Sequence, residues 1–228
     1  MPTTHTSRDF ETELRELRAH ILAMGARCER SVSLSLEAFW KGAAGSASEV
    51  EALDAQIDRD EMDIDALVLR ILALRQPVAY DLRFLTTALK LVTDLERIGD
   101  EALNIAERAA ESSGEAKTLV REELVIMAAE AQEMLRNALT CFVEGDADSA
   151  KLVLLKDDEV DKQYGAIMNK MSEHMAKQSA DVPMGLRVVK VAKYLERIAD
   201  HATNIAEEVI FMVRGDDVRH SRTRLEST

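Results

Sequence analysis

The segment Asp94-Leu-Glu-Arg-Ile-Gly-Asp100 reappears one hundred residues on as Tyr194-Leu-Glu-Arg-Ile-Ala-Asp200, and Asn104-Ile-Ala-Glu107 reappears at the same offset as Asn204-Ile-Ala-Glu207. Upstream, Asp54-x-x-Ile-Asp58 matches Asp157-x-x-Val-Asp161 at an offset of 103, so the stretch joining the two motifs is three residues shorter in the second copy. Duplication of one unit, roughly half the chain long, is the economical explanation.

Periodicity says what that unit is. Phe10, Leu14, Leu17, Ile21, Met24 and Cys28 step by four and three, the stripe of one helix face, which predicts a helix from Asp9 to about Trp40 broken by Gly42 to Gly45. Val50, Leu53, Ile57, Ile64, Leu67, Ile71 and Leu74 repeat the stripe, with Asp60 interrupting it, until Pro77. Asp81 is the expected cap of a third helix from Leu82 to about Glu111, whose seam ends in small residues (Gly99, Ala102, Ala106, Ala109) that suit close approach of a neighbour. Ser112, Ser113 and Gly114 mark the connector between halves. The second half follows suit. Leu124 to Phe142 form a fourth helix stopped by Gly145 and Asp146, Val153 to Met175 a fifth, and Pro183 opens a sixth that ends near Gly215. The expected fold is all-α: two tandem three-helix bundles, residues 8–112 and 115–215, then a polar tail at 216–228. Each half is expected to bury its own core.

Composition agrees and excludes some functions. Apolar residues make up 46% of 228, with only 9 Gly, 3 Pro and 4% aromatics, which suits long helices with a substantial core. A net charge of −13 argues against a nucleic-acid partner, since such a protein must replace counterions with basic surface. Arg219, Arg222 and Arg224 in the tail are expected to lie in a solvated end. Cys28 and Cys141 stand alone and read as buried hydrophobes of a reducing compartment. Met1 to Arg8 carries no signal-peptide blocks, and no run of about 18 apolar residues exists to span a membrane, so a cytoplasmic location is expected.

Chemistry concentrates in four carboxylate pairs spaced i, i+4: Asp54/Asp58, Glu96/Asp100, Asp157/Asp161 and Glu196/Asp200. Like charges so placed repel unless a cation lies between them. Within three or four residues only Arg97, Arg197 and Lys193 offer relief. Each pair directly follows core positions such as Leu53 and Leu95, so the two rows of one half border its core and can face each other across packed helices. An all-oxygen set of this kind suits Mg²⁺, Mn²⁺ or iron. A solvated acidic flank is the ordinary explanation for a single such pair, and repetition of two pairs per unit weighs against it.

Enzyme signatures are missing. No Glu stands three residues before a His, as di-iron carboxylate enzymes require. No phosphate-loop, dinucleotide or nucleophile-elbow motif occurs. His201 takes the place of Glu101 in the first copy and is expected to face the surface or a partner, while His5, His20, His174 and His220 are expected to face solvent.

Arg75-Gln76-Pro77, Asp81-Leu82-Arg83 and the first Leu-Glu-Arg-Ile-Gly-Asp segment resemble the first half of the PhoU family. Tyr194 to Glu207, continued by Glu208, Val209, Ile210 and Phe211, resembles its second, so the likeness covers residues 8 to 214. The resemblance implies paired three-helix bundles whose E(D)-x-x-x-D motifs hold multinuclear metal clusters, with Fe, Mn, Zn or Mg as candidate ions. It maps the metal motif onto Glu96, Asp100, Glu196 and Asp200. The mapping is looser onto Asp54, Asp58, Asp157 and Asp161, where Asp60, Glu61 and Asp158 are alternative ligands. It further implies negative control of phosphate-starvation genes, linking the ATPase subunit of a phosphate ABC transporter to a sensor histidine kinase at the inner membrane. Self-association as a homodimer is compatible with this. A metal-dependent enzyme using the same carboxylates is the alternative, and a purely structural scaffold the third reading.

Overall fold

The computed structural model describes residues 4–41, 44–109 and 119–218, and six long helices account for nearly all of them. They are α1 (Thr4–Lys41), α2 (Ala44–Arg75), α3 (Ala79–Ala109), α4 (Arg121–Glu144), α5 (Ala147–Lys177) and α6 (Val182–Arg214), with one 3₁₀ turn, Ser179–Asp181, before α6. The expected connector at Ser112 to Gly114 and the arginines of the tail lie outside the described residues.

Helix ends follow local chemistry. Gly145 (φ 66°) and Gly215 (φ 79°) adopt the left-handed conformation that lets their N–H groups return to the carbonyls of Cys141 and Phe211. Asp146 caps α5, its carboxylate accepting from the Asp148 and Ser149 N–H groups at 3.0 Å. Pro183 sits in the first turn of α6, where its missing N–H is no loss. Three expected boundaries shift. Helix α1 begins at Thr4 rather than Asp9. The α1–α2 break is shorter than Gly42 to Gly45, since α2 already includes Ala44 and Gly45. Asp81 lies inside the first turn of α3 rather than at its cap, because the helix begins at Ala79.

Helices α1–α3 pack on one another pairwise, α4–α6 do the same, and α3 lies along α6 to join the two bundles. These two central helices run antiparallel: Arg83 near the start of α3 donates to the Met212 carbonyl near the end of α6 (2.9 Å), while Glu101, far along α3, meets Arg197 (2.9 Å). A helix with neighbours on two sides must bury more than one stripe. In α6, Ala202, Thr203, Ile205, Ala206, Glu208, Val209 and Ile210 are accordingly all buried. The main core is therefore continuous across both halves rather than divided into two. Phe84 of α3 stacks on Phe142 of α4 at 5.6 Å between centroids. The bundles also touch at α1 and α4, where a Cβ on Gly25 would lie 2.7 Å from Leu139.

Gly99 faces α2, not the other bundle. A Cβ there would lie 3.1 Å from Ile57 Cδ1 and 3.5 Å from Asp54 Oδ1. The small seam residue thus brings α2 close within its own half, and a face between bundles is not what it serves. Arg75 closes the far end of the same bundle with a two-pronged contact to Glu13 of α1 (2.8 and 3.2 Å). The chain then turns through Gln76, at φ 49°, into Pro77.

Candidate functional site

Helices α2 and α3 carry the first acidic cluster, and α5 and α6 carry the second. The burial pattern from Leu91 to Asp100 is repeated residue for residue from Val191 to Asp200, so the two copies of the motif sit alike in their bundles. In each, the glutamate (Glu96, Glu196) and the second aspartate (Asp100, Asp200) are partly buried beside the facing helix. Asp54 is partly buried and its counterpart Asp157 is only 2% exposed, while Asp58 and Asp161 reach solvent.

Electrostatics tie each set together. Burial, then the nearby carboxylates of Asp58 and Asp100, push the Asp54 carboxyl up to about 6. Asp200 is likewise pushed to about 6, first by burial and then by Glu196, Asp157 and Asp161. Glu96 is raised by burial and by Asp100, against the pull of Arg97. Both phenomena have one cause: acids on facing helices share a poorly hydrated seam. Of the alternative ligands, Glu61 joins the first cluster, accepting from Thr93 of α3 at 3.2 Å. Asp60 turns to α1 and pairs with Arg27 at 2.6 Å, and Asp158 is exposed.

Internal cations relieve the clusters unequally. Arg97 stays over its own acids, 3.3 Å from Glu96 and 3.0 Å from Asp100. In the second cluster Lys193 holds Glu196 at 2.6 Å, Thr203 donates to buried Asp157 at 3.2 Å, and Arg197 leaves to pair with Glu101 across the α3–α6 seam. Among the described residues no three His, Cys, Asp or Glu side chains converge into a ligand set as they stand. The donor chemistry nonetheless fits a hard cation, since the candidate ligands are all carboxylate oxygens, beside the hydroxyls of Thr93 and Thr203, and their mutual repulsion is what a cation would relieve. Ligation would require these side chains to rearrange.

The seam between bundles holds polar contacts that periodicity does not reveal. Lys90 grips Glu208 through both oxygens (2.9 and 3.1 Å), and Asp94 accepts from Asn204 (3.1 Å) and meets His201 Nδ1 (2.9 Å). His201 is therefore tucked between the halves instead of facing a surface partner, because the roughly 100° turn from Asp200 points it at α3. His174 is also not solvent-facing: it is partly buried and lies 2.7 Å from Asp181. His20 is exposed as expected, whereas His220 lies outside the described residues, as does the side chain of His5. A partial signal for this seam lies in the sequence, among the places where the copies disagree, although others (Thr93 against Lys193, Gly99 against Ala199) lie on faces within one bundle. Asp94 against Tyr194, Glu101 against His201 and Arg108 against Glu208 are all departures from the repeat, and all lie on the seam.

Known proteins share this architecture. The PhoU domain family matches residues 21–109 and 124–209. The phosphate-specific transport system accessory protein PhoU homologs of Pseudomonas putida and Pseudomonas aeruginosa are each 40% identical over 96% of this chain and cover 86% and 90% of their own lengths. The crystal structure of PhoU from Pseudomonas aeruginosa superposes with a TM-score of 0.85 at 38% identity, covering 91% of this chain and all of that one. That of the phosphate transport system regulatory protein PhoU from Streptococcus pneumoniae gives 0.83 at 28% identity, covering 92% of this chain and 99% of that one. Two three-helix bundles, two copies of the acidic motif and matches over nearly the whole length agree: the chain belongs to the PhoU family of phosphate-regulon regulators, which act in phosphate homeostasis without being enzymes.

Proposed function

We propose that this chain restrains phosphate-starvation signalling as a cytoplasmic adaptor between the ATPase subunit of a phosphate ABC transporter and a phosphate-sensing histidine kinase. Its two acidic faces bind metal. The observation that carries this reading is the pair of acidic seams, whose α3 and α6 rows repeat at matching burial, in a member of a family of non-catalytic phosphate regulators. The relatives' description as accessory proteins of a phosphate-specific transport system supports the transporter as partner. Among the described residues no helix is long and apolar enough to cross a membrane, so contact with an inner-membrane complex would run through protein partners.

In this reading Glu96, Asp100, Asp54 and Asp58 hold the cation of the first face, and Glu196, Asp200, Asp157 and Asp161 that of the second. Such ions would neutralise the seams and hold α2 to α3 and α5 to α6. Arg97 and Lys193 stand in for part of that charge in the metal-free protein.

Deletion of the gene is expected to make a phosphate-starvation reporter constitutive in high phosphate, with the ATPase subunit and the kinase both co-purifying with the tagged chain. A reporter that stays silent after deletion defeats the regulatory reading. Tag-free protein that retains no Fe, Mn, Zn or Mg above background defeats the metal component alone.

A further inference from the structure

Helix α2 carries two apolar rows, and its packing uses one of them. Val50, Ile57, Ile64 and Ile71 lie seven apart on the side that meets α1 and α3, and all four are fully buried. On the opposite side Met62 and Leu69 are 62% and 60% exposed. Exposed Ala52, Ala55, Ala66 and Ala73 continue their row, and with Arg59 the steps alternate three and four throughout. Single exposed apolar residues are ordinary. A row of them with one charge in about 30 Å of helix is not, because the outer side of a helix normally carries its polar residues.

The second half shows that the bundle does not require this row. At the offset of 103, buried Val50, Ile57 and Ile64 correspond to Val153, Val160 and Ile167 of α5, which are also buried. The outer row is not kept: Ala55, Met62, Ala66 and Leu69 correspond to Asp158, Gly165, Asn169 and Ser172. A three-helix bundle is thus complete with a polar outer face, and the apolar one on α2 serves contact with another molecule.

Spacing and charge together describe that molecule. Alternating steps of three and four form the seam of a helix pair, in which Met62 and Leu69 are knobs and the alanines let a second backbone approach. Of the cations on neighbouring helices, Arg27 and Arg30 of α1 are taken by Asp60 and Glu49, and Arg97 of α3 by Glu96 and Asp100. Glu51, Asp58, Asp63 and Asp65 flank the seam without an ion pair to any described residue, against one flanking base, Arg70. Four acids beside an apolar seam favour a basic helix. They oppose a second copy, which brings the same acids, and they oppose an anionic membrane.

We propose that the outer face of α2 docks a basic amphipathic helix of a partner protein. The partner's apolar stripe covers Met62 and Leu69, and its lysines or arginines reach Glu51, Asp63 and Asp65. Arg59 sets the register as the one charge inside the seam. The surface shares only Asp58 with the acidic face, so it does not depend on metal.

The probe is a labelled three-heptad peptide, leucine at its seam and lysine at its flanks, titrated into the full chain and read by fluorescence anisotropy. Saturable binding is expected, weaker by about tenfold or more for a shuffled peptide of the same composition and for one flanked by glutamate. Met62→Gln with Leu69→Gln should weaken it by about tenfold or more without moving the melting temperature, since both side chains are exposed. Leu152→Gln with Leu155→Gln, equally exposed on α5, should leave it unchanged. Glu51→Lys with Asp63→Lys should turn the preference towards the glutamate-flanked peptide. Absence of saturable binding, equal binding of the shuffled peptide, or binding indifferent to the Met62 and Leu69 changes overturns the proposal. So does a self-dimer in sedimentation, or capture by phosphatidylglycerol vesicles, that those two changes abolish, for then a second copy or a membrane occupies the face.

Discussion

In the first bundle Gly99 packs against Ile57; in the second the corresponding residues are Ala199 and Val160, all four of them buried. One methyl group has moved from one helix to the other while the pair's volume is conserved. Transplanting the second solution into the first half therefore gives a worked prediction. In Gly99→Ala alone the new Cβ would sit 3.1 Å from Ile57 Cδ1 and 3.3 Å from its Cγ2, inside the ~3.5–4.0 Å optimum for carbon contacts. Such overpacking costs about 1–3 kcal/mol, while replacing a helical glycine returns about 1 kcal/mol. The single variant should lose roughly 0–2 kcal/mol on balance. Ile57→Val alone opens a void in a fully buried seam, at a cost of about 0.5–1.5 kcal/mol. The double variant removes Cδ1, the nearest clashing atom, and fills the space it leaves. It should match the parent or exceed it by up to about 1 kcal/mol. The pair should thus be coupled by about 0.5–4.5 kcal/mol, about 2.5 at the centre of those ranges, in a double-mutant cycle read from urea melts followed by circular dichroism. Effects that add to within about 0.3–0.5 kcal/mol would refute the argument.

Metal-free protein should lose stability as pH rises through the acidic range, because Asp54 and Asp200 ionise in the folded state only near 6, above their ordinary value of 3.8. The native state resists the charged form, so the penalty is absent below about 3.8, grows between 3.8 and 6, and is complete at neutral pH. Asp54→Asn or Asp200→Asn in chelator should flatten that slope and raise stability at pH 7 by about 1–2 kcal/mol each, after allowance for solvent screening of partly exposed groups. Equal melting temperatures at pH 5 and pH 7.5 in the parent would contradict this. Separated at the connector, residues 1–112 and 115–228 should each remain helical yet be less stable than the whole and self-associate, since the cut exposes the α3 and α6 faces that share one core. Sedimentation and urea titration check both points, and monomeric fragments as stable as the parent would show that the shared seam contributes nothing.

Much of this protein is legible in its sequence. The four-three spacing of apolar residues determined six helices, because burial on a 3.6-residue period leaves no other regular structure. The two copies of the acidic motif determined the duplication and nominated the site residues. Gly145, Gly215 and Pro183 marked helix ends because each has a backbone conformation or missing donor that suits only such a place. What the sequence did not determine was how the two bundles meet. A stripe shows that a face is buried, not against what, so Gly99 read equally well as a contact to the other half or to α2, and only packing placed Ile57 against it. The ion pairs Lys90–Glu208 and Arg197–Glu101 join residues about a hundred positions apart, and no local rule couples them. The same limit applied to His201, which reads as a surface residue on its own helix and becomes interior only because α3 lies across it. The elevation of Asp54 and Asp200 is likewise tertiary in origin. Spacing put two carboxylates on one helix face, but removing water from them required the facing helix, and low hydration rather than proximity is the larger cause.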